Sequence, residues 1–411
     1  MSYVFCKLNE QEFSNFLKGR DDNNWMQTVG VAKLRNSYGS EIEYLGVKDG
    51  KKIVCASMFT ITKTFMGKKT YYAPRGFLID YNDKDLVKDF ADALAIYYEK
   101  KNILFIKINP NIIISKYDKR INEFKYNDNI KINDYLKKNK FQELKKNKYF
   151  EAILPTYSPI VNLKTFAYKN LDKNVRNKIS KCYRKGLFAE KKGFDSLKEL
   201  YPLIKNKTKK SLKYYESLYR EFSKNNMIDI FLIRVNFEEY LINTKEKYEL
   251  ALEKNNKLAE KLFYNKSEKL INRKLQSDRE LLTYKNDIVI ATNGLAKNKN
   301  QVVAGAIVIK YNNKVNIYTS GYDKKYKELN ANDFLYYKII EYYKYNYNYL
   351  DLDGFSGDLS DSNPYKGLND FKMGFKPDIY EYIGEFDIIF KKRLYNKLSS
   401  NGTLTKIFNR L

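Results

Sequence analysis

The chain of 411 residues contains no histidine at all. That absence excludes Ser–His–Asp and Cys–His nucleophilic catalysis and removes the commonest metal ligand. Any proton transfer falls to Asp, Glu, Lys, Tyr, substrate groups or water. Cysteine is nearly absent too: Cys6, Cys55 and Cys182 lie far apart. Neither a disulfide framework nor a zinc site of the usual spacing is expected, and no metal or cofactor is implied. No run of 18 apolar residues occurs, so no transmembrane segment is expected. The opening residues, Met1-Ser-Tyr-Val-Phe-Cys-Lys, lack the basic region and small-residue cleavage site of a signal peptide. A cytoplasmic location is the expectation.

Acidic residues are the minority charge. Seventy-six Lys and Arg stand against 49 Asp and Glu, a net charge of +27. Part of that excess belongs to a Lys/Asn/Tyr/Ile-rich composition, but its sign favours polyanionic partners such as nucleic acid, anionic lipid or phosphorylated substrates. The length and the 43% hydrophobic content are enough for two domains with real cores.

In chain order, the pattern from Glu41 to Ile79 is β. Ile42 to Val47 precedes Asp49-Gly50, a hairpin signal, and Lys52 to Phe59 returns. Gly67 marks a second turn before Tyr71 to Ile79. Lys84 to Lys101 reads as an amphipathic helix with Val87, Phe90, Leu94 and Tyr97 on one face. Ile103 to Ile108 reads as a buried strand, and Ile112 to Ile130 as loop. Between Lys164 and Lys213, 16 Lys and Arg face four acidic residues. Within that tract Leu171 to Gly186 predicts a helix with Val175, Ile179 and Cys182 inward and Lys173, Arg176, Lys181 and Arg184 mostly outward. Tyr168, Tyr183, Tyr214 and Tyr215 add stacking capacity, which favours a nucleic-acid or phosphate face.

Asn236 to Lys285 changes character. Phe237, Leu241, Thr244, Tyr248, Ala251 and Asn255 repeat at spacings of four and three, and Leu258, Leu262, Leu270, Leu275 and Leu282 continue the seam. No Gly or Pro interrupts it, so two antiparallel helices forming a coiled-coil arm are expected, with the turn at Asn265–Ser267 or Asn255-Asn256. A β pattern resumes at Asp287 to Ala291, Val302 to Ile309 and Val315 to Ser320. A helix from Asn332 to Tyr345 follows, with Phe334, Leu335, Ile339 and Tyr342 inward. Then come a short strand from Tyr349, a Gly-rich turn at Gly354–Gly357, an irregular loop to Pro364, Phe371-Lys372, and a strand-like run from Ile379 to Phe390.

That C-terminal stretch carries a resemblance. Gly354-Phe-Ser-Gly-Asp358, then Leu368-Asn-Asp-Phe371-Lys372-Met-Gly-Phe375, then Glu381-Tyr-Ile-Gly-Glu-Phe-Asp387, resembles the Fem family of peptidyltransferases. Those enzymes use aminoacyl-tRNA to build the peptide bridge of bacterial peptidoglycan. Gln27-Thr28 with Lys33 and Arg35 resembles the family's Q-S-x-x-W-x-x-x-K segment, with Val31 where Trp is usual. Ala73-Pro-Arg75-Gly-Phe77 resembles P-R-G-P. Asn109-Pro110 stands where the family has Asp-Pro, which puts a carboxylate role there in doubt. The helix from Leu171 resembles R-x-x-I-x-K-A, with Cys182 for the Ala.

The resemblance implies two acetyltransferase (GNAT)-like domains of mixed α/β sheets, with the arm inserted in the second. The boundaries are 1–152 for the first domain, 153–236 with 286–411 for the second, and 237–285 for the arm. It implies transfer of an amino acid from aminoacyl-tRNA to the stem-peptide amine of lipid II or the soluble nucleotide-linked precursor (UDP-MurNAc-pentapeptide), with proximity to a membrane face. A long charged arm does not by itself imply a dimer, so a monomer is expected. Lys372 would stabilise the oxyanion, with Phe371 packed beside it. Arg35 would hold acceptor phosphate, with Lys210 or Lys213 as a second contact and Lys33, Arg75 and Asp358 also at the substrate. Lys173, Arg176, Lys181 and Arg184 would face tRNA. Three rivals remain at this point: an acyl-CoA N-acyltransferase, which should carry a pyrophosphate loop not found here, an aminoacyl-tRNA–protein transferase, and a non-catalytic RNA binder.

Overall fold

A computed structural model describes residues 3–64, 67–99, 101–144, 148–149, 153–400 and 402–404. Two mixed sheets organise them. The first runs β1 (Tyr3–Leu8), β2 (Glu41–Asp49), β3 (Lys52–Lys63), β4 (Lys69–Arg75), β5 (Ile103–Pro110), β16 (Phe386–Ile389) and β8 (Phe141–Glu143). The second runs β10 (Leu187–Lys192), β11 (Ile228–Asn236), β12 (Asn300–Tyr311), β13 (Lys314–Tyr322), β14 (Tyr349–Asp351), β9 (Tyr157–Asn162), β15 (Asp378–Tyr382), β6 (Ile113–Asp118) and β7 (Glu123–Tyr126).

The same unit is built twice. In the first half β1 is followed by α1 (Glu10–Leu17) and α2 (Val29–Ser37), then by β2, β3 and β4, and α3 (Lys84–Glu99) carries the chain over to β5. In the second half β10 is followed by α6 (Leu197–Ile204) and α7 (Leu212–Ser223), then by β11, β12 and β13, and α10 (Ala331–Tyr343) carries it to β14. Both crossovers end in parallel pairs, β4 with β5 and β13 with β14, as a helical connection between neighbouring strands requires. The remaining helices are α4 (Ile130–Lys138), α5 (Lys173–Arg184), α8 (Phe237–Tyr264), α9 (Glu268–Leu295), α11 (Lys366–Met373) and α12 (Lys392–Ser400).

The arm is an insertion into this repeat. Where β2 and β3 are joined by the tight turn at Gly50 (φ 58°), β11 and β12 are joined by α8 and α9. Each of these helices has 28 residues, about 42 Å at 1.5 Å per residue. Asn265–Ser267 make the turn. Asn255 Nδ2 donates to Ser277 Oγ (3.0 Å) and Asp278 Oδ1 (2.8 Å), and Tyr240 OH donates to Asp287 Oδ1 (2.7 Å), which fixes the antiparallel pairing. Asp287–Ala291 is therefore helix, not strand. A four-residue apolar run, Ile288 to Ala291, reads the same in either conformation, and here the hydrogen bond from Tyr240 to Asp287 belongs to the helical one. Leu275 and Leu282, expected in the seam, point outward; Lys274 and Leu281 take the inward positions.

Three further differences have identifiable causes. The stretch from Ile112 to Ile130, read as loop, contains the hairpin β6–β7, which pairs with β15 at the far edge of the second sheet, a partner more than 250 residues away. The run from Ile379 to Phe390 is two strands in different sheets, broken at Gly384 (φ 104°), which only glycine adopts freely. On α10 Tyr342, expected inward, is exposed, while its neighbour Tyr343 is buried and its OH donates to Asp229. Elsewhere Val87, Phe90 and Leu94 on α3, and Val175, Ile179 and Cys182 on α5, are buried as expected, while on α3 Tyr98 is fully buried and the expected Tyr97 only half-buried.

Apolar side chains from both halves share one core. Phe13, Val31, Leu34 and Met58 from the first half meet Leu200, Leu218, Phe222 and Ile307 from the second. Burial of that seam holds the two sheets together.

Candidate active site

Lys372 lies on α11 and is 4% exposed. Its ammonium donates to the carbonyl oxygens of Asp353 (2.9 Å) and Gly354. Those carbonyls are presented because the chain turns sharply there, with Asp353 at φ 65°. Farther along the turn, Gly357 lies so close to the Tyr157 ring that a Cβ would sit 2.2 Å from it. Burial lowers the Lys372 pKa, and the charge of Asp353 opposes this. Asp353 itself reaches solvent. It is nevertheless packed deeply enough among protein for desolvation to raise its carboxyl, against the pull of Lys372.

The wall around Lys372 is aromatic. Tyr336 stands edge-on to Phe371 at 4.9 Å, and Phe371 to Phe375 at 5.5 Å. Tyr336 OH shares a 3.1 Å hydrogen bond with Ser320 Oγ, and burial pushes its phenol up to about 12. Lys207 donates to the Ser320 carbonyl (3.1 Å) and adds a positive charge felt at Lys372.

From this cluster a line of charges runs toward the first sheet. Asp351, buried, is committed: it pairs with Lys314 at 2.8 Å and accepts from Ser158 Oγ (2.5 Å) and the Asp353 N–H (3.0 Å). Burial pushes its carboxyl up, but Lys314 and these hydrogen bonds outweigh that and hold it below the usual range. Arg75, whose charge acts on Lys314 and Asp353, lies 4.0 Å over the Tyr382 ring and donates to the Pro155 carbonyl. The Arg75 N–H donates to Asn109 Oδ1 (2.8 Å), and Asn109 Nδ2 donates to Tyr72 OH (3.0 Å). Asn109 thus ties two strands, a role needing a donor and an acceptor that a carboxylate could not fill in the same way.

Arg35 lies 5.7 Å over the other contact of this line, the Tyr72 ring. Its charge acts on Lys210, Tyr214 and Tyr318. Lys210 sits 4.3 Å over the Tyr214 ring, and its pKa is lowered by desolvation and then by Arg35. Tyr214 OH and Tyr318 OH are 3.1 Å apart, and Trp25 packs edge-on to Tyr318 at 5.7 Å. Lys210, Lys207, Lys314, Tyr214, Tyr318 and Asp353 all reach solvent yet carry desolvation shifts.

These contacts and electrostatic neighbours bring Arg35, Lys210, Arg75, Phe371 and Lys372 into one connected site. Other residues named from the sequence lie elsewhere. Lys33, two positions along α2 from Arg35, pairs with Glu10 at 2.9 Å. Lys213 is exposed on α7. Asp358 organises its own loop: it accepts from Tyr149 OH (2.9 Å) and the Ser360 N–H (3.0 Å), and these bonds, the latter first, lower its pKa. Lys181 and Arg184 line a cavity of about 630 Å³ between α5 and the base of the arm. Lys173 is exposed at the opposite end of α5, and Arg176 is half-buried. Among residues the sequence did not single out are Lys314 and Tyr318. The alternation of Lys314 and Asn316 with buried Val315 and Ile317 marks that strand as having a polar face. Among the described residues no group of His, Cys, Asp or Glu could hold a metal ion, and no helix is long and apolar enough to cross a membrane.

Comparison with known proteins places this geometry in a class. Residues 8–400 match the FemAB family model, and the chain belongs to that family. It is 26% identical to the aminoacyltransferase FemA of Staphylococcus epidermidis, over 95% of this chain and 97% of that one. It is 25% identical to the aminoacyltransferase FemB of Staphylococcus epidermidis (strain ATCC 12228 / FDA PCI 1200), over 99% of both. By this kinship the chain is an aminoacyltransferase. The crystal structure of FemX shares its fold, with a TM-score of 0.72 at 16% identity, covering 96% of this chain and 99% of that one.

Proposed function

We propose that this enzyme moves an amino acid from aminoacyl-tRNA to the stem-peptide amine of a peptidoglycan precursor, lipid II in preference to the soluble nucleotide-linked form, and so extends an interpeptide bridge. The observation that carries the reading is the buried Lys372 ammonium linked, through Asp353, Arg75, Asn109 and Tyr72, to the cationic pair Arg35 and Lys210. An acceptor with a pyrophosphate and a distant amine needs that separation of cationic and reacting ends. The +27 charge suits a tRNA donor.

The donor ester is already activated, so no covalent enzyme intermediate is required. The acceptor amine attacks the ester carbonyl and a C–N bond forms. The tetrahedral intermediate collapses with loss of the ribose oxygen, which takes up a proton while the amine loses one. Lys372 is the donor to the developing oxyanion, and the neighbouring aromatic side chains limit water around it. Asp351 is engaged by Lys314, so the free carboxylate beside Lys372 is Asp353, well placed to receive the amine proton.

The test is mass spectrometry of lipid II incubated with the protein and charged total tRNA, without CoA. A gain of one amino-acid mass that disappears with deacylated tRNA is expected and names the residue transferred. A gain only on the soluble precursor changes the acceptor. No gain on either overturns the reading.

A further inference from the structure

The free end of the arm has a chemistry of its own. Where α8 gives way to the turn, Phe263 and Tyr264 are 80% and 86% exposed, and Ile271, one turn into α9, is exposed as well. Among the described residues Phe263 is the one exposed phenylalanine. The seam does not explain these side chains, because Leu258, Leu262 and Leu270 close its end and are half-buried. Pairing of the two helices would be served as well by polar residues at Phe263 and Tyr264, yet here two rings stand in water.

The same end is basic. From Lys257 to Lys274 six Lys and Arg stand against Glu260 and Glu268. Lys257 is held by Glu253 and Lys274 by Asp278, each at 2.6 Å and each on the side away from the turn. Lys261, Lys266, Lys269 and Arg273 are all exposed and form no ion pair among the described residues. Four uncommitted cations therefore surround an exposed aromatic pair, at the end of helices about 42 Å long.

We propose that this tip anchors the protein to an anionic lipid bilayer. Phe263 and Tyr264 enter the boundary between headgroups and acyl chains, and the four cations lie among the lipid phosphates. A phenyl ring gains by leaving water, and a tyrosine keeps its hydroxyl with the headgroups while its ring goes deeper. Lys and Arg on long stems reach back to the phosphates, and a cluster of this size is what a negatively charged surface attracts. The two halves of the pattern supply the two signals that stable interfacial anchoring takes. Nucleic acid fits less well. Single strands are held by ring faces on which successive bases stack, but the Phe263 and Tyr264 planes stand 85° apart with centroids at 5.3 Å. A duplex would meet the cations and leave Phe263 in water. The anchor depends on the tip alone and would hold whatever the acceptor; the length of the arm separates it from the site on the two sheets.

Flotation of the full chain with vesicles at physiological salt tests this. The chain should float with mixed phosphatidylglycerol–phosphatidylcholine vesicles and stay down with phosphatidylcholine alone. Phe263→Ser with Tyr264→Ser, at exposed positions, should leave the far-ultraviolet spectrum unchanged and lower the partition coefficient by about 10- to 100-fold. Lys266→Glu with Lys269→Glu should lower it by about 10-fold or more, and raised salt should weaken the parent in the same direction. A second readout is depth. Phe263→Trp should give emission that shifts to the blue on vesicles and is quenched by lipids brominated on their acyl chains. The parent's only tryptophan, Trp25, packed edge-on to Phe222 and Tyr318, should not respond. Absence of flotation with the anionic vesicles overturns the proposal. So does flotation that survives loss of both aromatic side chains, and if the same change weakens binding of charged tRNA, the tip belongs to RNA.

Discussion

Replacing Lys372 by Met removes the ammonium while keeping a side chain of similar length. Two effects follow, on different quantities. For stability, the carbonyls of Asp353 and Gly354 lose a charged donor, which costs about 1–3 kcal/mol. Relief from burying a charge offsets part of this, leaving a net loss of about 1 kcal/mol. For catalysis, loss of one preorganised oxyanion donor costs about 2.7–4 kcal/mol, or roughly 100- to 1,000-fold in turnover. Acceptor affinity is assigned to Arg35 and Lys210 and should change by less than about threefold, well under 1 kcal/mol. The assay is single-turnover transfer from charged tRNA to the acceptor, followed by mass spectrometry, with acceptor binding measured by calorimetry on the same preparation. A thermal melt within a few degrees of the parent shows that the comparison is fair. Equal losses in turnover and binding, or a turnover loss below about tenfold, would refute the assignment of Lys372 to the transition state.

Other perturbations address the rest of the site and the arm. Arg35→Ala should weaken acceptor binding by about 10- to 100-fold with a smaller effect on turnover, and the difference from the parent should shrink at high salt; a pure turnover defect contradicts this. Asp351→Asn concerns pH. The folded carboxyl is depressed, so its stabilising contribution is full above its unfolded pKa of about 3.9 and is lost as pH falls through the lower folded value. The parent should therefore lose stability more steeply than the Asn variant below about pH 4, in urea titrations, while near neutrality the variant should be less stable by about 2 kcal/mol because Lys314 loses its partner. Equal pH profiles would remove the ion pair from the account. Gly294→Ala replaces a helical glycine and would gain about 1 kcal/mol from propensity alone. A Cβ there would stand 2.3 Å from the buried Phe237 ring, so the melting temperature should fall, and a rise would show that the arm base repacks freely.

Local pattern decided much of the fold. Hairpin turns at Asp49-Gly50, the helix over Lys84–Glu99 and the four–three seam from Phe237 to Asn255 all follow from spacing that depends on near neighbours. What escaped depends on distant partners. The hairpin Ile113–Tyr126 is a pair of strands because β15 lies beside it, and its polar sequence carries no sign of that. Ile379–Phe390 alternates evenly enough to pass for one strand until Gly384 sends its halves to different sheets. In the site, Lys372 and Arg35 came from motif resemblance. Tyr318 and Lys314 required knowing which strand faces which half, and Asp358 looked available until its loop closed around it.

The last fold crossing has a bearing on how the chain is made. β16 inserts between β5 and β8, held by the pair of Lys107 and Asp387, both wholly buried, at 2.8 Å. Meanwhile β6 and β7, from early in the chain, finish the other sheet. During synthesis the opening sheet thus waits, its Ile103–Pro110 strand open on one side, while more than 270 further residues emerge. Neither half is a module that could be cut free, exchanged or expressed alone with its sheet complete. A nascent chain stalled before Phe386 would display an unpaired strand edge with a lysine at its centre, a charge well suited to discourage premature pairing with another chain.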